Sequence, residues 1–571
     1  MLALLTVLAV ALLVRAHAVT QARNIARDGT VYLTMAHEMT LQSPGQLLPH
    51  FHYHPGYPAV VAMVASAVGA EWPLGWVAVG QWVSVAMSLL ALAMLYVFAC
   101  FCFDRKIAMV TTLLVAISGP ITEVSSDCLS DASAAAMAMT AIVLALVAGR
   151  RITGGSAASA CDLAASAGAE AGAHSGSGTA ASIALSACAG LAGGVAYLFR
   201  PEALLAVAAA AVVLLVMKVS SRRQRLIRAA CLMIIPLAAA ACVLPYATAV
   251  GELTPKKNVD DFALAAPVAG PALASVGVAQ ATPSARLLKA MRRTLDRARA
   301  AMGTPLTVLV VTCWATWLGT HLLRLRFPPG VVFGLRAAPL AAMALVVGAI
   351  FALLTALEAN HPRYISARHA LLAVLLMSPC AGAGFMILVG WMQNLAGRLE
   401  PILTRAVFHG SGLRQKVSAA MLLTFRRRPG AATAILLVVV LASMAPVALP
   451  VPHHDKGCYR QAGLEIASQF GRGHNVLASD GWAPFYAGSP WRELSVSARR
   501  LTVEDLASVE KLLSVRTAAG ESFDFLVIPE RLLNDAPQPG IAGQIQSHPR
   551  LRRVGVWQSE DHRALAYQIV P

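Results

Sequence analysis

Residues 72–103, between Glu71 and Asp104, contain no Asp, Glu, Lys or Arg. That stretch exceeds the roughly 20 residues with which an α-helix crosses a bilayer, and a helix apolar on every side has no stable place on a water-facing surface. Similar runs recur, and the pattern predicts spans at 1–19, 77–103, 107–122, 132–149, 182–199, 203–217, 229–249, 304–321, 337–357, 369–393 and 432–449. The expected class is an all-α polytopic membrane protein of about 11 transmembrane helices. Composition agrees: 57% of residues are hydrophobic, 13% are charged and the mean hydropathy is +0.63. The net charge of +17 raises nucleic acid as a partner, but the basic residues stand between apolar runs and aromatics are only 6%. No nucleic-acid partner is expected. Most of the ten cysteines lie in or beside apolar runs without CxxC spacing, so neither a disulfide framework nor a zinc site is predicted.

The first run lacks the basic flank and cleavage site of a signal peptide and reads as a span rather than a removed leader. Residues 57–70 are apolar but short and follow a Pro/Gly-rich turn, which suits an interfacial or re-entrant helix. Lys and Arg in short loops favour the cytoplasmic side. The loops after even-numbered spans, together with the one before the last span, carry 19 of them, from Arg105 to Arg428. The short loops of opposite parity carry 2, Arg200 and Arg363. The outer side, a periplasm-like space, therefore receives the loops 20–76 and 250–303 and everything after Leu449. Residues 152–181, rich in Gly, Ser and Ala, read as a disordered cytoplasmic insert. The expected domains are thus 1–450 in the membrane and 451–571 as a small soluble α/β domain outside it. In that domain HNVLAS, FDFLVIP, RVGVWQ and ALAYQIV are strand-like, helix-period segments lie near 459–470 and 503–515, and Thr502 with Asp505 has capping-box spacing.

The unusual polar clusters all fall at the outer ends of spans: Asp28 with Tyr32, the HFHYHPGYP segment from His50, Glu123 with Asp127 and Asp131, Arg200-Pro-Glu202, and NHPRY at 360–364. The span interiors read as free of charge. A transporter places ionisable groups near the midplane, on broken helices in two repeated halves. Acids, arginines and histidines on one face suit instead a site that handles an anionic lipid headgroup while the tail stays in the membrane. Read alone, Asp28 is equally a helix N-cap, Arg200 a partner of Glu202 or a snorkelling residue, and the acids at 123, 127 and 131 a solvated loop capping the next span. His50, His52 and His54 alternate and share one face of an extended segment. That pattern fits a divalent metal, phosphate oxygens or plain surface.

In order along the chain, RDGTVYLTMA, HYHPGYP, SDCLSDASAAAM, YLFRPEALL and HPRYISARHALL, followed by a soluble outer tail, resemble the integral-membrane glycosyltransferases of the GT-C superfamily. The similarity is to the branch with protein mannosyltransferases, the aminoarabinose lipid A transferase and RgtA/B/C/D-like relatives. The resemblance implies a polyprenyl-phosphate-linked sugar as donor, membrane lipids as surroundings, and a lipid, glycan or protein hydroxyl as acceptor. It implies inverting transfer with Asp28, the match to the first-loop acid, as general base. Many relatives carry a second acid after this one, where the chain has Gly29. It further implies donor-phosphate binding by Arg200, His361, Arg363 and Tyr364, where cations offset the charge that collects on the leaving phosphate. Substrate or donor contacts fall to Asp131, Tyr32, His54, Tyr57 and Glu202. No confident metal ligand set emerges, and a divalent metal is the one cofactor left open.

The segment from Ser284 to Ala301 places Leu287, Leu288, Met291, Leu295 and Ala298 on one helical face with most of its six basic residues elsewhere. It reads as an interfacial helix that gathers anionic lipid or as a structural brace. The rival to an enzyme is a transporter or flippase of lipid-linked saccharides, and a third reading is a membrane scaffold.

Overall fold

A computed structural model describes residues 2–51, 53–153, 177–251, 283–321, 337–360, 366–409, 429–449, 453–489, 501–517, 520–560 and 562–570. The larger helices are α1 (Leu2–Gln21), α2 (Arg27–Glu38), α3 (Gly56–Val68), α4 (Leu74–Cys102), α5 (Arg105–Ala116), α6 (Gly119–Ser125), α7 (Asp131–Ile152), α8 (Ser177–Phe199), α9 (Leu205–Val216) and α10 (Arg222–Val250). They continue with α11 (Pro283–Met302), α12 (Thr304–His321), α13 (Ala337–Asn360), α14 (Leu371–His409), α15 (Pro429–Ala448), α16 (Gly457–Phe470) and α17 (Trp482–Ala487).

Every apolar run predicted to span is helical, and the short run expected at 57–70 supplies the helix α3, which stops at Val68 with Gly69 as its left-handed cap. By length and composition, 6 helices among the described residues are fit to cross a membrane, or 8 if each of two bent pairs counts as one span. The chain is thus a multi-pass helical membrane protein. The run expected at 107–122 is broken, with α5 and α6 meeting at 66°. Pro120 in the first turn of α6 favours a fresh start there, because a mid-helix proline removes a ladder bond. Helix α10 begins seven residues before the apolar run expected from 229. The capping box of Ser221 and Gln224 satisfies its first amides and carries the helix through Arg222, Arg223, Arg225 and Arg228. Helix α8 begins at Ser177, inside the segment expected to be disordered. The insert from 154 to 176 and the stretch 252–282 of the long outer loop lie outside the described residues.

One expectation fails inside the bundle. The spans are not free of charge: Arg15 of α1 is fully buried, and its Nη1 donates to the carbonyls of Ala116 at 2.8 Å and Ala11 at 3.2 Å. The guanidinium thereby satisfies a carbonyl in the last turn of α5, where the ladder stops before the bend.

The tail carries a four-stranded sheet of β1 (Val476–Ala478), β2 (Phe525–Pro529), β3 (Leu551–Ser559) and β4 (His562–Ile569), in the order β1-β2-β4-β3. Val476 pairs with Phe525 in the parallel β1–β2 ladder, and the other two ladders are antiparallel. Strands β1 and β2 are buried throughout, as strands covered on both faces must be. All four lie within the runs that read as strand-like, and the Thr502–Asp505 capping box is formed.

The sheet unit docks on the chain just before α2. Trp482 Nε1 donates to Ile25 O at 2.8 Å, Asn24 Nδ2 donates to Lys456 O at 3.0 Å, and Phe485 and Tyr486 share one apolar cluster with Ile25, Tyr32 and Tyr57. Asp127 completes the joint: its carboxylate accepts from Ala26 N at 2.9 Å and lies 2.8 Å from His453 Nε2. His453 is half-buried, and although burial disfavours its charge, the hydrogen bond and charge of Asp127 hold its pKa above the usual 6.5.

Candidate active site

Four segments far apart in sequence converge at one end of the bundle: the first turn of α2, the loop and first turn of α7, the turn between α8 and α9, and the 3₁₀ turn Ala367–Ala370 that leads into α14. Each is placed by a local cause. Pro201 disfavours helical backbone in Arg200, which is extended at φ −154° and leaves the α8 ladder. Ser366 and His369 form a capping box that starts the turn carrying Arg368. Gly29 lets α2 approach the 126–130 loop, since a Cβ there would lie 3.0 Å from both Cys128 Cβ and Cys128 O. A side chain at this position would press on that loop.

The converging side chains form an ion-pair network. Arg368 Nη2 donates to Asp28 Oδ2 at 2.6 Å, and its Nη1 lies 3.9 Å from Asp131 Oδ2. Arg200 donates through Nη1 to Asp131 and through Nε to Glu202 Oε2 at 3.4 Å. His369 Nε2 stands 3.4 Å from Glu202 Oε1. Ser366 N donates to His369 Nδ1 at 3.1 Å, which assigns the ring proton of the neutral imidazole to Nε2. Tyr53 donates to Asp28 Oδ1 at 3.3 Å, and Tyr32 shares a 2.9 Å hydrogen bond with Ser130. Burial, with the charge of Asp28, pushes the Tyr53 phenol above its ordinary pKa, so it remains a donor at neutral pH. Burial opposes the charge on Arg200, yet Asp131 and Glu202 outweigh it and hold the guanidinium firmly protonated.

The two aspartates differ in access. The Asp131 side chain is 2% exposed and engaged by both arginines, whereas that of Asp28 is 31% exposed. Asp131 is thus closed off by its ion pairs, and Asp28 is open to solvent. A cleft with about 500 Å³ of empty space, its open mouth included, begins at Asp131, Arg200, Glu202, Arg368 and His369. It continues between apolar walls that include Ala134 and Ala138 of α7 and Ile350 and Leu354 of α13.

Of the residues singled out in the sequence, Asp28, Tyr32, Asp131, Arg200 and Glu202 come together here. Tyr57 does not face the network: it is fully buried, and its hydroxyl donates to Gly80 O at 2.8 Å, so its place is in the core beneath Tyr32. His54 is also set apart, packed edge-on against Tyr197 and tilted on Tyr246. His361, Arg363 and Tyr364, along with His52, lie outside the described residues. Among the described residues, no group of three or more His, Cys, Asp or Glu is placed to hold a metal ion. Arg368, His369 and Tyr53 were not singled out. The first two stand in the same HPRYISARHALL run, but basic residues at the mouth of a span ordinarily read as snorkelling groups, and only the fold brings Arg368 to Asp28.

Fold and site together define a multi-pass helical membrane protein with a docked α/β unit and a cluster of acids and guanidiniums at one end of an apolar cleft. No protein-family model and no curated protein matches the chain. Solved structures do. ArnT from Cupriavidus metallidurans in the apo state aligns with a TM-score of 0.57 at 14% identity, covering 98% of this chain and 97% of that one. The same protein bound to undecaprenyl phosphate aligns at 0.56, also at 14% identity with 98% and 97% coverage. The Archaeoglobus fulgidus oligosaccharyltransferase complex with Zn and sulfate aligns at 0.52 and 11% identity, covering 99% of this chain and 74% of that one. The chain has the fold of the GT-C glycosyltransferases.

Proposed function

We propose that this protein is a glycosyltransferase of the bacterial inner membrane that moves a sugar from a polyprenyl phosphate to a hydroxyl of a lipid, glycan or protein on the periplasmic side. The observation that carries the reading is the pairing of the accessible Asp28 carboxylate with Arg368 at the polar mouth of an apolar cleft. A polyprenyl phosphate matches that polarity, with its phosphate at the arginines and its first isoprene units along the alanine and leucine walls. The ArnT structure with undecaprenyl phosphate supports the choice of donor class.

In this reading, Arg368 exchanges Asp28 for the donor phosphate when the donor enters. Asp28 then accepts the proton of the acceptor hydroxyl as that oxygen attacks the anomeric carbon from the face opposite the phosphate. The bond from the anomeric carbon to the phosphate oxygen breaks, its electron pair leaves with the phosphate, and the configuration inverts. Arg368 and Arg200 stabilise the charge that develops there, an effect worth roughly 10²–10³ in rate per preorganised donor. Asp131 orients both guanidiniums. His361, Arg363 and Tyr364 add to the phosphate site.

The test is incubation of the purified protein with a panel of polyprenyl-phosphate sugars and candidate acceptors, with products read by mass spectrometry. A glycosylated acceptor with inverted linkage, formed together with free polyprenyl phosphate, is the expected result. Transbilayer movement of the intact donors without any transfer counts instead for the flippase reading.

A further inference from the structure

Helix α11 does not use its apolar face as a simple buried stripe. Ala290, Thr294, Ala298 and Ala301 face the protein, packing toward α13, the Ala367–Ala370 turn and α6. The larger apolar side chains point away: Leu287, Leu288, Met291 and Leu295 are 45–62% exposed. The helix thus has three faces, small residues toward the protein, an outward ridge of leucine and methionine, and a basic remainder. Of that remainder, Arg293 pairs with the buried Glu358 of α13 at 3.0 Å, which fixes the rotation of the helix. Arg292 and Arg299, both exposed, stand four residues beyond Leu288 and Leu295 and so border the ridge directly.

The axis is set by a second observation. Segments Ser284–Met302 and Thr304–Thr320 meet at 111°. With α12 along the membrane normal, α11 lies close to the membrane plane, at the outer end of the bundle. An in-plane helix with an outward leucine ridge bordered by arginines is seated in the headgroup layer, ridge toward the acyl chains and guanidiniums toward phosphates.

We infer that α11 is a docking surface for anionic phospholipid headgroups of the outer leaflet, gripped by Arg292 and Arg299. Because α11 packs on the turn that carries Arg368 and His369, the lipids it holds form the floor of the approach to the cleft. The inference rests on the membrane orientation of the proposed function but not on sugar transfer, and its test needs no turnover.

The full-length protein is placed in nanodiscs of phosphatidylcholine with and without phosphatidylglycerol, and the lipids retained per protein are counted by native mass spectrometry. Wild type is expected to retain phosphatidylglycerol in preference to phosphatidylcholine. R292Q/R299Q is expected to lower that preference about 25-fold, since each basic residue at a charged surface contributes about fivefold. R292K/R299K, which keeps the charge, retains it. Equal retention by wild type and R292Q/R299Q overturns the inference, as does equal retention of the two lipids by wild type. A lower melting temperature of R292Q/R299Q in purely zwitterionic discs, with its phosphatidylglycerol preference intact, assigns α11 to bracing alone and also overturns it.

Discussion

Asp28→Asn separates a catalytic carboxylate from a structural one. The substitution keeps the side-chain shape and leaves Oδ1 available to accept from Arg368, while Tyr53 retains a polar neighbour in place of its present 3.3 Å acceptor. What it removes is the negative charge and the capacity to take a proton. The Asp28–Arg368 pair is short, at 2.6 Å, but its side chains are 31% and 27% exposed. Solvent screening therefore limits the loss of stability to about 1 kcal/mol, a shift of a few degrees at most in melting temperature. Removing a general base costs roughly 10²–10⁴ in rate, or about 2.7–5.5 kcal/mol of activation free energy. The kinetic effect exceeds the structural one by a wide margin, and the two are read separately. Single-turnover transfer with saturating donor, in protein matched for monodispersity, should fall at least a hundredfold, while donor binding stays within a few fold. The acid limb of the pH–rate profile should vanish with it. A variant that keeps more than a third of wild-type turnover with the same acid limb refutes Asp28 as the base.

Arg368→Gln should lower the transfer rate by roughly 10²–10³ and should also weaken donor binding, because the guanidinium meets phosphate in both ground and transition states; an unchanged rate in a titration against donor removes Arg368 from the site. Gly29→Asp should not restore a second acid to the loop: a Cβ 3.0 Å from Cys128 must push that loop away and bury a carboxylate, at a cost of about 1–3 kcal/mol, so a melting temperature equal to wild type with retained transfer contradicts the packing argument. His453→Asn tolerates the left-handed backbone at φ 50° but is too short to reach Asp127. The folded-state pKa of His453 lies above the usual 6.5, so its contribution is fully present below that value and is lost as pH rises through the raised one. Melting curves of the two proteins should therefore differ most near pH 6 and converge in alkali, and a pH-independent gap rejects the ion pair as the source.

Much of the architecture is legible without coordinates, because it is written in local pattern. Apolar runs became helices wherever they were read, and four short strand-like runs became the four strands. The capping box of Thr502 and Asp505 formed as its spacing required. Parity of the spans was enough to place Asp28, Asp131, Arg200 and Glu202 at one end of the bundle. The departures have equally local causes, namely Pro120 breaking one run and the Ser221 capping box lengthening another. The exception is Arg15, whose partner is a carbonyl on another helix, a group that no sequence pattern marks.

The chain's own order of residues determined that it must be helical, that it must sit in a membrane, and which polar groups gather at one end, since hydropathy and periodicity act over a few helical turns. Only the tertiary structure decided which of those groups touch. Arg368 and Asp28 are 340 positions apart, and their contact depends on how α2, α7 and α14 pack. Burial then divides otherwise similar residues into roles: it leaves Asp28 open, closes Asp131, and commits Tyr57 to the core. Exposure and pairing are properties of packed surfaces, and so they come into being only when the helices meet.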